Sequence, residues 1–238
     1  MKGSMHYTGN ELALFSTAKN WKKYFAGFIL PHVKGRVLEV GAGLGTITPY
    51  LRIEYHSEWV LLEPDEDMAN SLKSHYSTQS TDGLCTIING SIEDLNTELF
   101  DTILYIDVLE HIADDSAELL HAANLLREGG KVIVLSPAYQ CLFSPFDKAI
   151  GHYRRYSKKS LLSTAPATLT PILANYLDSI GFFLSLANRI ILQQRYPRQS
   201  QINFWDRMLV PVAVVMDRLF LFGFGRSVLL IWTKQTAA

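Results

Sequence analysis

Five short apolar runs recur between Arg36 and Leu135, separated by stretches in which apolar residues return every three or four positions. The runs predict strands at Arg36–Val40, Trp59–Leu62, Cys85–Ile88, Thr102–Ile106 and Lys131–Leu135. The intervening stretches predict helices at Thr46–Leu51, Asp65–Tyr76, about Glu93–Leu99 and Asp114–Leu126, the last ended by Gly129-Gly130. Near-continuous apolar strands alternating with helices describe a parallel sheet covered on both faces, and right-handed crossovers make it doubly wound. Two later runs, Leu169–Leu177 and Val228–Thr233, complete a mostly parallel, seven-stranded, Rossmann-like α/β sheet.

Helical rhythm returns at both ends of this alternation. Thr8-Gly9-Asn10-Glu11 has the spacing of a capping box, and Leu12, Phe15, Ala18, Phe25 and Phe28 follow at helical spacing until Pro31. A helix over about Asn10–Leu30, in one piece or two, is expected, so residues 1–34 form a helical cap that could lie across the mouth of a site. Residues 35–165 are the Rossmann-like core. Residues 166–238 carry the last strands and a helical insertion of two apolar segments, Ile180–Leu192 and Phe204–Phe222. In the second segment Asp206-Arg207 and Asp217-Arg218 lie 11 residues apart, about three helical turns, and so share one face. Pro211 is expected to kink this helix or begin it. Such an apolar helix is buried, docks on a membrane surface or partner, or lines an apolar substrate pocket.

A doubly wound sheet binds ligands outside the carboxyl ends of its strands. That rule selects the turn after the first strand, Glu63, Asn89–Glu93, Asp107–His111 and Ser136–Tyr139. The first turn reads Glu39-Val40-Gly41-Ala42-Gly43-Leu44-Gly45, three glycines at alternate positions with no Cβ to obstruct a ligand and with backbone N–H groups free to meet one. A dinucleotide fingerprint places its third glycine where Thr46 stands, and a carboxylate at Glu39 would repel a pyrophosphate. An ammonium-bearing ligand end suits Glu39 better. Glu63, 18 positions beyond Gly45, is placed to accept both hydroxyls of a ribose. The ligand so described carries a nucleoside at one end and an amino-acid moiety at the other.

These stretches resemble the class I S-adenosylmethionine-dependent methyltransferases, in the small-molecule, type 11-like branch. Val37–Gly45 resembles their first motif and Leu62-Glu63-Pro64-Asp65 the acidic second motif. Gly90–Leu95 resembles the adenine-cradling segment, Phe100-Asp101 with Tyr105–His111 the strand-four motif, and Leu126–Lys131 the turn before strand five. The resemblance spans about Gly35–Ser136. It implies S-adenosylmethionine as cofactor, S-adenosylhomocysteine as product, and no metal. Glu39 and the backbone of Gly41, Ala42, Gly43 and Gly45 would hold the methionine end. Glu63 and Pro64 would flank the ribose, Ile92 would pack on adenine, and Ser91 or Glu93 would bond its amino group. Asp107, Val108 and Leu109 would line the cofactor near sulfur.

Methyl transfer from a sulfonium needs a positioned acceptor, exclusion of water and, for a protonated nucleophile, a proton acceptor. His111 and His152 are the candidate bases, with Tyr24 a third catalytic candidate. Gly151-His152-Tyr153-Arg154-Arg155-Tyr156 concentrates a histidine, two arginines and two tyrosines in six residues. Arg154 and Arg155 are candidates to fork onto an anionic substrate group, unless they pair with carboxylates of the fold. Asn20, Trp21, Tyr139 and Tyr156 complete the substrate-binding candidates. There is no HExxH and no Asn/Asp-Pro-Pro-Tyr after the fourth strand.

Composition narrows the partners. The 238 residues are 48% hydrophobic and 19% charged, with a net charge of −1 and no basic run beyond Arg154-Arg155 or Lys158-Lys159. That pattern excludes nucleic acid as the main partner. Cys85 and Cys141 form no CxxC, which suits reduced thiols in the cytoplasm. The expected activity is transfer of a methyl group to oxygen or nitrogen of a small, partly apolar metabolite, of the secondary-metabolism kind. A lipid-linked or glycan acceptor at a membrane surface and a non-catalytic cofactor-binding protein remain alternatives.

Overall fold

Strands Arg36–Val40 (β1), Glu58–Glu63 (β2), Cys85–Asn89 (β3), Phe100–Ile106 (β4), Leu126–Pro137 (β5), Leu169–Leu177 (β6) and Ser227–Lys234 (β7) form one sheet in the order β3-β2-β1-β4-β5-β7-β6. The coordinates are a computed structural model that describes residues 11–52, 58–79, 85–95, 98–192, 194 and 196–236. The proposed capping residues Thr8–Asn10 lie outside the described residues. Six strands run in one direction, and β7, seated between β5 and β6, is antiparallel to both. The order reverses between β1 and β4, which opens the ligand crevice there.

Helices Glu11–Phe15 (α1), Lys19–Ile29 (α2), Thr48–Leu51 (α3), Glu66–Gln79 (α4), Asp115–Asn124 (α5), Pro145–Ala149 (α6), Lys158–Thr164 (α7), Ser179–Ala187 (α8), Gln199–Phe204 (α9) and Val210–Leu219 (α10) complete the described elements. Alternation along β1 divides two cores: Leu38 and Val40 enter one face, with Tyr105, Val134 and Trp232, and Val37 the other, with Trp59, Leu61 and Leu104. Trp21, Phe25 and Ile29 of α2 join Trp205 in that second core.

The cap takes the two-piece form, α1 and α2, and Asp206 supplies the missing N-terminal cap of α2: its carboxylate accepts from the N–H groups of Asn20 (3.2 Å) and Trp21 (2.9 Å). Several other expected boundaries move. The helix after the glycine turn is only Thr48–Leu51, and the one expected at Glu93–Leu99 is a single 3₁₀ turn, Ile92–Asp94, locked by Ser91 donating to Asp94. Gly129 and Gly130 lie inside β5 rather than in a preceding turn.

The C-terminal segment meets its expected face. Asp206 and Asp217 are both buried, and Asp217 accepts from the backbone N–H groups of Asp178 (2.7 Å) and Ser179 (2.8 Å) and from the Tyr24 hydroxyl (2.8 Å). The segment is continuous through a π turn at Trp205–Leu209, just before Pro211, whose missing N–H interrupts the ordinary ladder. Its opposite face leaves Phe204, Met208, Val212, Val215 and Leu219 exposed, one stripe at spacings of three and four.

Candidate functional site

A cavity of about 1110 Å³ lies over the carboxyl ends of β1, β2, β4 and β5. Single small-molecule sites usually occupy roughly 300–1,000 Å³, so this volume accommodates two ligands side by side. One end is walled by Gly41, Ala42, Gly43, Glu63, Pro64, Ser91 and Ile92. The other is walled by Asp107, Glu110, His111, His152, Arg155 and Arg226, with Trp21 and Lys22 from α2 and Ile202, Trp205 and Leu209 from the insertion above.

The glycine turn is shaped by backbone conformation. Gly41, Gly43 and Gly45 have φ values of 64°, 56° and 65°. A Cβ at Gly41 would meet the Val108 side chain at 2.8 Å, so this turn tolerates no larger residue there. The amides expected to face a ligand are engaged within the protein instead. Gly41 and Ala42 donate to the Leu62 carbonyl, Gly45 to that of Ala42, and Gly43 to the Glu63 carboxylate at 2.7 Å. α3, which follows the glycine turn, is only one turn long and offers it no strong helix dipole. An anionic ligand group therefore gains little here, which suits an ammonium end better than a pyrophosphate.

Glu63 accepts one N–H on each carboxylate oxygen, from Gly43 and from Asp65 (2.9 Å). Burial pushes its pKa up against these two bonds. Each oxygen keeps further acceptor capacity for vicinal hydroxyls.

Glu39 is placed differently from expectation. Strand alternation turns it into the Trp59 core, where Oε2 accepts from Trp59 Nε1 and Thr48 Oγ1, both at 2.9 Å, and it is absent from the cavity lining. Burial raises its pKa to about 7 against those hydrogen bonds. A raised carboxyl pKa favours the protonated folded state, so this contribution is complete below the ordinary value of 4.5 and is lost as pH rises through about 7. Glu39→Gln is accordingly expected to gain relative stability over wild type between pH 5 and pH 8, by up to ~3 kcal/mol in ligand-free urea unfolding. Parallel pH profiles for the two proteins would contradict this assignment.

At the far end, His152 sits in a built hydrogen-bond frame. Its Nδ1 lies 2.9 Å from Asp147 Oδ1. Asp147 also receives Arg155 Nε (2.7 Å) and Nη2 (2.9 Å) and the amide and hydroxyl of Ser144 (2.8 Å each). Burial works to raise the Asp147 carboxyl pKa, but His152 and Arg155 hold it well below the usual range. With Nδ1 committed to Asp147, His152 Nε2 faces Glu110 Oε1 at 3.8 Å. The other Glu110 oxygen accepts from Ser136 Oγ at 2.9 Å, while Oε1 is buried without a partner. Burial lifts the Glu110 pKa well above its ordinary value, with Asp107 adding repulsion.

His111 stacks edge-on to His152, ring centroids 4.5 Å apart, and burial together with His152 lowers its pKa to about 3, so it is neutral. Asp107 has φ 55°, its N–H fixed on the Leu135 carbonyl, and lines the cavity within the electrostatic reach of His152, Arg226 and Arg155. Arg226 Nε pairs with Asp178 at 3.2 Å and its guanidinium stacks 4.0 Å over Trp205.

Of the sequence-predicted residues, Gly41, Ala42, Gly43, Glu63, Pro64, Ser91, Ile92, Asp107, Val108, Trp21, His111, His152 and Arg155 line the cavity. The others do not. Tyr24 and Asn20 border a separate groove, Tyr24 bonded to Asp217 and Asn20 to the Asp206 carbonyl. Tyr139 stacks on Tyr176 at 4.7 Å, and Tyr156 is buried with its hydroxyl on Asp115 at 2.7 Å. Arg154 takes the other reading open to it, pairing with Asp115 (2.6 Å) and the Ala113 carbonyl. Leu109 is core, Gly45 packs against Leu72 and Tyr76, and Glu93 lies outside the lining. The sequence reading missed Asp147, Lys22 and Arg226. Burial lowers the Lys22 pKa to about 8, with Asp206 opposing, and its ammonium donates to the Ser16 carbonyl.

Comparison with known proteins follows this geometry. Residues 14–179 match a family model described as a methyltransferase domain. No curated protein matches the sequence. Among solved structures, the chain is similar to YcgJ from Bacillus subtilis, with TM-score 0.59, 16% identity, and coverage of 90% of this chain and 98% of that one. It is similar to the N-methyltransferase NodS from Bradyrhizobium japonicum WM9 in complex with S-adenosyl-L-homocysteine, with TM-score 0.58, 10% identity, and coverage of 92% and 89%. The cyclase SpnF has TM-score 0.62 and 13% identity, with 96% of each chain covered. At these identities the structural likeness establishes the fold.

Proposed function

We propose that this chain, which belongs to the methyltransferase-domain family, moves a methyl group from S-adenosylmethionine to an oxygen or nitrogen of a partly apolar small molecule. The observation that carries the reading is one cavity with a nucleoside-type cradle at one end and a buried acid–imidazole cluster at the other. The cofactor supplies a sulfonium-activated methyl carbon. The glycine turn leaves room for its amino-acid end, Glu63 accepts the ribose hydroxyls, and Ile92 packs on the base with Ser91 beside it. Asp107 and Val108 lie between this cradle and the acceptor end.

At the acceptor end His152 is held by Asp147 so that Nε2 points inward, placed to receive the proton an alcohol or amine must lose. Arg155 keeps Nη1 buried without a partner, which suits an anionic or carbonyl group on the acceptor. Ile202, Trp205 and Leu209 suit its apolar part and exclude water. Across a panel of hydroxylated and amine acceptors, S-adenosylhomocysteine should form with at least one. His152→Ala should then lower turnover by 10²-fold or more. Cofactor binding with no product from any acceptor would favour a non-catalytic binding protein, and full turnover in the variant would refute the proposed role of His152.

A second reading, an acceptor presented at a membrane surface, is favoured by the exposed stripe Phe204, Met208, Val212, Val215 and Leu219. Among the described residues no helix is long and apolar enough to cross a membrane. Flotation with vesicles containing anionic lipid should then carry the protein upward, and Val215→Glu with Leu219→Glu should abolish it; failure of wild type to float would remove this reading.

A further inference from the structure

We infer that Glu110, His111 and His152 form a binding site for one divalent transition-metal ion of the imidazole-preferring kind, such as Zn²⁺. Glu110 and His111 adjoin each other in the turn after β4, whereas His152 comes from the loop between α6 and α7. The fold brings one ligand atom from each within 4.8 Å of the others. Two imidazoles and one carboxylate are a common donor set for such ions, with positions left for water or substrate oxygen.

Local geometry says more than proximity. Glu110 is fully buried, its Oε2 is fixed by Ser136, and its Oε1 has no hydrogen-bond partner. A buried carboxylate oxygen in that state costs free energy unless something electropositive meets it. The group opposite is His152 Nε2, at 3.8 Å. Because Nδ1 is hydrogen-bonded to Asp147, Nε2 is the ring nitrogen left to meet Glu110 Oε1 or an ion between them. The two atoms face each other at a separation too long for a hydrogen bond, which needs about 2.7–3.2 Å. A metal about 2.1 Å from each holds such atoms roughly 3–3.5 Å apart, a closure of a few tenths of an ångström.

The surroundings match those of a metal site. The Asp147–His152 hydrogen bond is the carboxylate–histidine arrangement that orients metal ligands and fixes their tautomer. An ion here would sit at the acceptor end of the cavity, able to take an acceptor oxygen and make it more acidic, with His152 then a ligand of the ion in place of the proton acceptor. That role rests on the methyl-transfer reading; the binding site does not.

The full-length protein, stripped with a chelator and exchanged into metal-free buffer, is titrated with Zn²⁺ by calorimetry, and with Co²⁺ while its visible absorption is recorded. The expected result is one ion per chain, a Co²⁺ band of histidine–carboxylate character displaced by Zn²⁺, and affinity lowered at least 100-fold by Glu110→Gln or His152→Asn. Asp147→Asn, which leaves all three ligands in place, should weaken binding 10–100-fold. Each variant is checked for folding by its melting transition and by S-adenosylhomocysteine binding. Absence of stoichiometric binding to wild type, or binding unchanged in both folded ligand variants, overturns the site. Metal binding without cofactor binding would leave the site standing and refute the methyl-transfer reading; cofactor binding without metal would do the reverse.

Discussion

Glu63→Ala is expected to weaken S-adenosylhomocysteine binding by roughly 100-fold or more. Two losses combine in that figure. The carboxylate would form charge-assisted hydrogen bonds to both ribose hydroxyls, each worth about 1.5–3 kcal/mol, and every ~1.4 kcal/mol is tenfold in affinity. It also anchors the turn itself through the Gly43 N–H at 2.7 Å, so removal loosens the cradle as well as the contact. Glu63→Gln separates the two effects: its side-chain oxygen can still accept from Gly43, but the charge is gone. The conservative variant should therefore lie between wild type and Glu63→Ala when compared by calorimetry. Unchanged affinity in Glu63→Ala would place the ribose elsewhere.

Asp217→Ala should be the most damaging single change to stability outside the cavity, costing about 4 kcal/mol. Its carboxylate receives the Asp178 and Ser179 backbone N–H groups and the Tyr24 hydroxyl, and the site is fully buried. Removing it leaves buried donors unsatisfied, at about 1–3 kcal/mol each. Those donors belong to the start of α8 and to α2, so one residue of α10 ties the cap and the insertion together. For a chain of this size the melting temperature should fall by about 8–15 °C. Asp217→Asn keeps one acceptor oxygen and should lose less. A fall below 2 °C in Asp217→Ala would show that water replaces these bonds readily.

The strands were legible because apolar runs bounded by glycine or polar turns leave few alternatives, and all seven occur where the pattern placed them to within a few residues, β5 excepted. Its start was misjudged since Gly129-Gly130 reads as a stop signal, while the sheet accommodates both glycines within the strand. The ligand end of the site followed from one rule, that ligands sit at the carboxyl ends of parallel strands, and Glu63, Asp107 and the glycine turn obey it. What local pattern does not reveal is which way a side chain turns once long-range partners arrive. Glu39 is drawn to Trp59 on the neighbouring strand, Tyr24 to Asp217 and Arg154 to Asp115, across separations of 20, 193 and 39 residues. Asp147 escaped notice for the same reason. It stands in an unremarkable Pro145–Ala149 turn, and its importance comes from His152 and Arg155 folding back onto it.

The acid–imidazole cluster shows how the two kinds of information combine. His111 and His152 were each visible as candidates, yet only the fold sets a buried, unpartnered Glu110 oxygen against His152 Nε2. The apolar C-terminal helices similarly divide their labour. Ile202, Trp205 and Leu209 face the cavity, while Met208, Val212 and Val215 of the same segment face outward.

The central claim is that one cavity holds S-adenosylmethionine at its glycine end, and calorimetric titration of the purified protein with S-adenosylmethionine, S-adenosylhomocysteine and NADH tests it most directly. One molecule of either sulfur nucleoside per chain, with affinity lost in Glu63→Ala and no heat from NADH, is the result predicted here. Stoichiometric NADH binding with no response to S-adenosylmethionine or S-adenosylhomocysteine would contradict it.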